Sequence, residues 1–106
     1  MIDLYTASTP NGQKIHIMLE ESGLDYTVRP MALEKKEQKE DWYLAINPNG
    51  KVPALVDNGF TLFESFAESL YLAKKYGTGS LYPESIEQEA LVWQWTFWGL
   101  NELERA

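Results

Sequence analysis

Three short segments of the sequence carry polar groups that could hold a small ligand. They are Ser8-Thr9-Pro10-Asn11-Gly12, Lys51-Val52-Pro53-Ala54-Leu55 and Glu64-Ser65. The chain has no cysteine, so it offers no protein thiol, no disulfide and no zinc–thiolate site. Its single histidine, His16, cannot build a histidine-based metal site, and we expect no metal. Chemistry here must therefore come from hydroxyls, amides, carboxylates, backbone groups or a bound ligand.

The first segment, residues 8–12, lies between a predicted strand and a predicted helix. Loops at the carboxyl end of a parallel strand are where α/β proteins place ligands. Hydroxyl and amide donors in such a loop, together with the helix N-terminus, favour an anion. The alternative is plain capping, because Ser and Thr before a Pro are typical of any helix start.

The other two segments could together hold a small peptide. We predict a cis bond between Val52 and Pro53, which would turn the backbone N–H and C=O of Val52 outward to pair with an extended peptide. Ser65 is predicted to be the N-cap of a helix, where free amides suit a carboxylate, and Glu64 could accept from an ammonium group. The alternative for this pair is an ordinary cap preceded by a solvated acid.

The surrounding pattern predicts the elements that position these segments. Strands are predicted at residues 2–5, 26–29, 54–57 and 61–63. A first helix of about three turns is predicted to stop at Gly23, and two further helices are predicted at 65–76 and 86–105. A short helical turn is expected at 42–46, after a charged run at 34–41 that we interpret as a solvated surface. Strand, helix and strand within about 30 residues form a βαβ unit with parallel strands, whereas Asn58-Gly59 predicts an antiparallel hairpin.

This order predicts an α/β fold with a mixed four-stranded sheet and helices on both faces. The last helix fits less well, because its three tryptophans and other apolar residues spread around most of its circumference. Trp93 and Trp95 lie about 200° apart on a helix, so one small sheet cannot cover both. We expect residues 86–106 either to drive self-association or to pack on further helices.

Composition narrows the possible functions. A chain of 106 residues is the length of one domain, and its formal net charge of −7 makes it a poor candidate for binding nucleic acid. No window approaches the roughly 18 apolar residues that a membrane-spanning helix needs, and the first residues do not resemble a signal peptide. We therefore expect a cytoplasmic protein without a membrane partner.

Taken together, the segments resemble the N-terminal, thioredoxin-like domain of the glutathione transferases. The matching residues run through Leu4-Tyr5-Thr6-Ala7-Ser8-Thr9-Pro10-Asn11-Gly12, then Asn47-Pro48-Asn49-Gly50-Lys51-Val52-Pro53-Ala54-Leu55-Val56-Asp57, then Phe63-Glu64-Ser65-Phe66-Ala67 and Leu70-Tyr71-Leu72-Ala73. The Thr-Pro-Asn-Gly start is most similar to the bacterial and fungal nu-type members. The resemblance implies a thioredoxin-like domain over residues 1–80, then a linker and the first helix of an all-helical domain over residues 81–106.

The resemblance also implies a role for each residue of the three segments. Val52, beside a cis Pro53, would pair its backbone with the cysteinyl unit of glutathione, and Lys51 could meet a carboxylate of the tripeptide. Glu64 and Ser65 would hold the γ-glutamyl end. Residues Thr9 and Asn11 would face the sulfur and donate hydrogen bonds to its thiolate, with Ser8 as an alternative donor and Tyr5, within the strand, as a weaker one.

The resemblance implies a transferase that conjugates glutathione to electrophiles, or a glutathione-dependent disulfide reductase, acting as a homodimer. The second substrate would be an electrophile or a disulfide. The rival hypothesis is a non-catalytic binding or regulatory module, or an inactive single-domain fragment. One departure from the family pattern is Glu68, which stands where an apolar residue is usual and would cost several kcal/mol if buried without a partner.

Overall fold

Four strands form one mixed sheet at the centre of the computed structural model, which describes residues 1–77 and 80–103. The strands are β1 (Ile2–Thr6), β2 (Thr27–Pro30), β3 (Ala54–Asp57) and β4 (Phe60–Phe63). They lie in the order β2-β1-β3-β4, with β1 and β2 parallel and the other two pairs antiparallel. This confirms the predicted βαβ unit, the hairpin and the thioredoxin-like fold class, with strand bounds shifted by a residue at most.

Helices cover both faces of this sheet. Helices α1 (Pro10–Glu21) and α3 (Ser65–Gly77) pack on one face, and the single turn α2 (Asp41–Leu44) packs on the other. Successive strand residues point to opposite faces, and so Ala54 of β3 joins the core under α2 whereas Leu55 joins the core under α1 and α3.

The two cores differ in size and composition. The core under α1 and α3 is wholly aliphatic in its buried residues, which are Ile2, Leu4, Ile15, Leu19, Leu55 and Leu72. The core under α2 is smaller and centres on the fully buried ring of Tyr43, with Met31 and Ala54 beside it. Two short 3₁₀ turns, Leu33–Lys35 and Glu37–Lys39, overlap the charged run at 34–41, and no residue of either turn is buried.

The fourth helix, α4 (Ile86–Trp98), packs differently from the others. Among the described residues of the chain, α4 has none that is buried, and Trp93, Trp95 and Trp98 are 45%, 58% and 46% exposed. Its polar side is tethered by Glu89, whose carboxylate accepts from Lys74 Nζ at 2.7 Å and from the Tyr82 hydroxyl at 2.6 Å. An uncovered apolar helix is what the spread of its tryptophans predicts.

The last helix, predicted over residues 86–105, changes its type of helical turn near its end. The α-helix stops at Trp98, and a π-type turn, Gly99–Leu103, follows. Residues 104–106, at the end of the segment predicted to drive self-association, lie outside the described residues. Thr78 and Gly79, predicted to end α3, also lie outside them. Glycine has the lowest helix propensity after proline, and the change of pitch coincides with Gly99.

Candidate functional site

A cavity of about 210 Å³ lies at the carboxyl end of β1, beside the N-termini of α1 and α3. Its walls come from four parts of the chain that are distant in sequence. The lining residues are Asn11, Asn47, Asn49, Lys51, Val52, Pro53, Glu64, Ser65, Phe66 and Leu100. All six residues predicted to bind the ligand, which are Asn11, Lys51, Val52, Pro53, Glu64 and Ser65, are therefore on one cavity.

The second segment enters this cavity as an exposed backbone edge. The Val52–Pro53 bond is cis, as predicted, and Pro53 is buried. Pairing within the sheet begins at Ala54, so the backbone of Val52 lies outside the strand ladder. An edge of this kind can pair with an extended peptide, because its N–H and C=O are not engaged by a neighbouring strand.

Two buried side chains fix the segment just before this edge. The hydroxyl of Tyr43 and the amide of Asn47 both donate to the carbonyl oxygen of Lys51, at 2.7 and 2.8 Å. Burial raises the pKa of Tyr43 to about 12, so its hydroxyl stays protonated and continues to donate at neutral pH. The backbone leading into Val52 is therefore held from beneath the sheet.

The turn before Lys51 is closed by its own side chains. The Asn47 side-chain oxygen accepts from the backbone N–H of Asn49 at 2.9 Å, and the Gly50 N–H donates to the carbonyl of Asn47 at 2.9 Å. Gly50 has a φ of +61°, and a Cβ there would lie 3.1 Å from both the Gln38 carbonyl oxygen and a methyl of Leu44. Only glycine suits that position without strain.

The third segment differs from its prediction in one respect. Ser65 is the first residue of α3 rather than its cap, because the N–H of Glu68 donates to the carbonyl of Glu64 at 2.9 Å and so makes Glu64 the capping residue. Glu64 takes this position with a φ of +79°. A residue with a side chain pays about 1–3 kcal/mol for such a conformation, which is characteristic of ligand sites.

The first segment contributes one residue to the cavity directly. Asn11 lines it, whereas the exposed Ser8 lines a separate shallow groove with His16 and Pro30. Thr9 is the N-cap of α1, and its side-chain oxygen accepts from the Gly12 N–H at 3.0 Å. The capping bond uses a lone pair of the Thr9 hydroxyl and leaves its hydrogen free to donate elsewhere.

Glu68 lies one turn into α3, on the face that packs on the sheet. It is fully buried, and neither carboxylate oxygen has a hydrogen-bond partner among the described residues. Burial, together with the smaller effect of the negative charge of Glu64, raises its pKa to about 9. The side chain is therefore protonated at neutral pH, beneath the wall of the cavity.

Four lining residues were not predicted from the sequence: Asn47, Asn49, Phe66 and Leu100. The Asn-Pro-Asn-Gly turn carries a signal for the first two, because asparagine side chains close such turns by bonding to backbone two residues later. No local signal marks Phe66 or Leu100, since each reaches the cavity through tertiary packing. A wider groove of about 900 Å³ between residues 80–85 and α4 holds none of the predicted site residues.

The cavity therefore combines a backbone edge, a helix N-terminus with a hydroxyl, an acid, a base and an amide donor. This set suits an extended peptide with charged ends. Within the described residues there is no group of three or more metal-ligating side chains. No helix described by the structure is both long enough and apolar enough to span a bilayer.

Comparison with known proteins agrees with the fold and shows the family. The family model for the glutathione S-transferase N-terminal domain matches residues 1–74. The disulfide-bond oxidoreductase YfcG of Escherichia coli is 44% identical over 110 aligned residues, covering 97% of this chain and 50% of that protein. The chain thus spans about half the length of this relative, and a smaller share of the next two curated ones.

Solved structures match over nearly the whole chain. A glutathione transferase family member from Pseudomonas fluorescens, with two glutathione molecules bound, has a TM-score of 0.85 and 37% identity over 93% of this chain and 45% of that chain. Glutathione transferase URE2P6 from Phanerochaete chrysosporium, in complex with oxidised glutathione, has a TM-score of 0.85 and 38% identity over 94% of this chain and 48% of that chain.

Proposed function

The chain belongs to the glutathione S-transferase family, and on that premise we propose that its cavity binds glutathione and activates the thiol of that tripeptide. The observation that carries the proposal is the convergence of all six predicted binding residues on one cavity of about 210 Å³. Those residues come from three segments separated by as many as 40 positions between Asn11 and Lys51. Convergence of this kind is not expected of unrelated caps and turns.

Each part of glutathione has a counterpart in the proposed site. The backbone of Val52, free of the strand ladder, pairs with the cysteinyl unit. Glu64 accepts from the γ-glutamyl ammonium, while Ser65 and the first amides of α3 hold the γ-glutamyl carboxylate. Lys51 meets the remaining carboxylate of the tripeptide. These assignments satisfy both charged ends of an extended ligand.

We assign activation of the thiol to Asn11 first and Thr9 second. A thiol has an ordinary pKa of about 8.5, and donors aimed at the sulfur lower that value because they stabilise the thiolate. Asn11 lines the cavity, and Thr9 keeps a hydrogen to donate after capping α1. The position of Ser8 on another groove argues against it as the donor.

The proposed reaction begins with attack by the glutathione thiolate. In disulfide reduction, the thiolate forms a bond to one sulfur of the substrate and expels the other as a thiolate; a second glutathione then resolves the mixed disulfide and yields glutathione disulfide. The name of the relative YfcG supports this reaction. In conjugation, the thiolate instead bonds to an electrophilic carbon, and the bond from that carbon to a leaving group such as chloride breaks. We place either reaction in the cytoplasm, where glutathione keeps thiols reduced.

Calorimetric titration of the 106-residue chain with glutathione tests the proposal. Saturable binding that weakens at least tenfold in Val52→Pro, which removes the backbone N–H, supports it, and absence of binding overturns it. Turnover is then measured with glutathione plus 2-hydroxyethyl disulfide and with glutathione plus a chloronitrobenzene. Binding without either turnover would favour the rival function, a non-catalytic glutathione-binding module.

We further propose that residues 1–80 form the binding domain and that residues 81–106 begin a helical unit which pairs with a second copy. The family match ends at residue 74, and α4 exposes three tryptophans. Complete burial of an aromatic side chain removes about 150–250 Å² from water, and each of these three still exposes about half of its surface. Light scattering at micromolar concentration is expected to give a dimer or larger species, and a strictly monomeric chain would contradict the pairing.

A further inference from the structure

Asn11 does not stand alone at the cavity, because a lysine one turn later on α1 holds its side chain. Lys14 Nζ donates to the side-chain oxygen of Asn11 at 2.8 Å. The two residues are three positions apart, a spacing at which side chains on a helix meet. Lys14 does not line the cavity itself, but it contacts two residues that do, Asn11 and Phe66.

The chemistry of this contact decides which way the Asn11 amide points. An ammonium group has three donors and no acceptor, so the atom of Asn11 that faces Lys14 must be the oxygen. The amide nitrogen then occupies the other branch of the side chain. A thiolate accepts hydrogen bonds from an amide N–H but is repelled by an amide oxygen, and so the orientation determines whether Asn11 can stabilise it.

Lys14 is itself held in place by a second wall of the cavity. Its Nζ lies 4.4 Å from the centroid of the Phe66 ring, which is within the range of a cation–π contact. Phe66 follows Ser65 on α3 and lines the cavity. The ammonium therefore joins the start of α1 to the start of α3 immediately behind the residues that would surround the sulfur.

We propose that Lys14 is a positioning residue of the thiol site: by binding the Asn11 oxygen, it fixes the amide with its N–H₂ group available to the sulfur. The inference rests on the proposed function. The other charged or titratable groups at this cavity are Lys51 and Glu64 on its lining and Glu68 beneath α3. Among the described residues, none of these three groups forms a hydrogen bond with the Asn11 side chain.

The test measures the pKa of the glutathione thiol in the complex, by recording the ultraviolet absorbance of the thiolate as a function of pH. Lys14→Met keeps the length of the side chain and removes its donors. It is expected to raise the bound thiol pKa by about one unit, a roughly tenfold fall in the ionisation constant of the bound thiol. Glutathione affinity should stay within about threefold. Lys14→Arg, which restores both the donor and the cation–π contact, should recover most of the shift.

Two further variants separate positioning from other effects. Lys35→Met, at an exposed lysine of the turn Leu33–Lys35, also removes one positive charge and should leave the thiol pKa unchanged. In an Asn11→Ala background, Lys14→Met should have no further effect, because the group it positions is absent. An equal shift in both backgrounds would mean a direct field effect and would overturn the inference.

The outcomes distinguish this inference from the function on which it rests. If the unmodified chain does not bind glutathione, both are wrong. If it binds glutathione and Lys14→Met leaves the thiol pKa unchanged, the inference fails and the proposed function stands. Circular dichroism of each variant, recorded beforehand, confirms that the comparison is between folded proteins.

Discussion

Asp57, at the hairpin end of β3, and Glu68, on α3 near the cavity, are both buried carboxyl groups, with 2% and 0% of their surfaces exposed. Asp57 has three donors on one oxygen: the hydroxyls of Tyr71 and Tyr76 at 2.7 and 2.8 Å and Lys75 Nζ at 2.9 Å. Glu68 has no donor on either oxygen within the described part of the chain. Among these described residues, Asp57 is therefore held through one of its two oxygens, Oδ2, whereas Glu68 is held through neither.

The pKa values follow this difference in partners. Burial alone would raise the pKa of Asp57, but the two tyrosines and the lysine outweigh it and hold the value below its usual range. Burial raises the pKa of Glu68 to about 9, since nothing offsets it. The hairpin end thus stabilises the fold, whereas the cavity end carries an unpaired buried carboxyl and a strained Glu64 beside the binding residues.

The largest expected effect is at Asp57. Asp57→Ala leaves the donors of Tyr71, Lys75 and Tyr76 without their acceptor and should lower the free energy of unfolding by about 4 kcal/mol. Urea denaturation followed by circular dichroism measures the change. Glutathione affinity should stay within about twofold in the folded protein. A decrease in the free energy of unfolding of less than about 1 kcal/mol would show that the hydrogen bonds to Asp57 do not stabilise the fold substantially.

Glu68→Gln should have the opposite sign. The native state holds Glu68 protonated at pH 7 while the unfolded chain ionises it near 4.5, and this difference costs the native state on the order of 3 kcal/mol. The amide cannot ionise, so the variant is expected to be more stable by a similar amount. The matched change at the other end, Asp57→Asn, should be destabilising; if both substitutions destabilise, the contrast is wrong.

The same contrast predicts opposite dependences on pH. Glu68 binds a proton in the native state that the unfolded chain releases, so its contribution falls as pH rises from about 4.5 to about 9, by at most about 1.4 kcal/mol per pH unit. Asp57, whose pKa is lowered, stabilises the fold above its unfolded pKa and loses that contribution as pH falls through its native pKa.

Unfolding of the native chain and of Glu68→Gln at several pH values between 5 and 9 isolates the first effect. The gap between the two proteins should widen steadily toward alkaline pH. A gap that does not change with pH would mean that Glu68 keeps an ordinary pKa. Asp57→Asn measured from pH 7 downward gives the second effect, and its gap from the native chain should narrow in acid.

The smallest expected effect concerns binding alone. Ser65→Ala should weaken glutathione about tenfold, equivalent to about 1.4 kcal/mol, because the hydroxyl meets the γ-glutamyl carboxylate. Since Ser65 is not the cap of α3, stability should change by less than about 0.5 kcal/mol, unlike the loss of about 1 kcal/mol typical of a cap. Unchanged affinity with lost stability would make Ser65 purely structural.

Local patterns in the sequence predicted most of the fold. Strands, the hairpin and α1 follow from alternation, turn residues and helical spacing, and each is a short-range property. Gly23, the expected stop of α1, takes a φ of +67° immediately after the helix. The change to a π-type turn at Gly99–Leu103 was not predicted, because the helical spacing of apolar residues continues through Leu100 and Leu103.

The candidate site was predictable only where a local sequence motif marks its residues. The cis Val52–Pro53 bond and the six binding residues were predicted through motifs that resemble those of the glutathione transferases. The support beneath Lys51 does not, because Tyr43 and Asn47 meet its carbonyl through the packing of α2 on the sheet. The position of Ser65 inside α3 likewise depends on the left-handed backbone of Glu64, which its residue type does not favour.

The placement of the tryptophans allows fluorescence to distinguish α4 from the domain that contains the sheet. Three of the four lie on α4, while Trp42 lies against the rings of Tyr5 and Tyr43, with centroids 6.0 and 5.7 Å away. Indole fluorescence moves to shorter wavelength when water leaves the ring. In a Trp42→Phe variant, all of the indole emission would come from α4. Its wavelength would then report how much of the surface of that helix is covered.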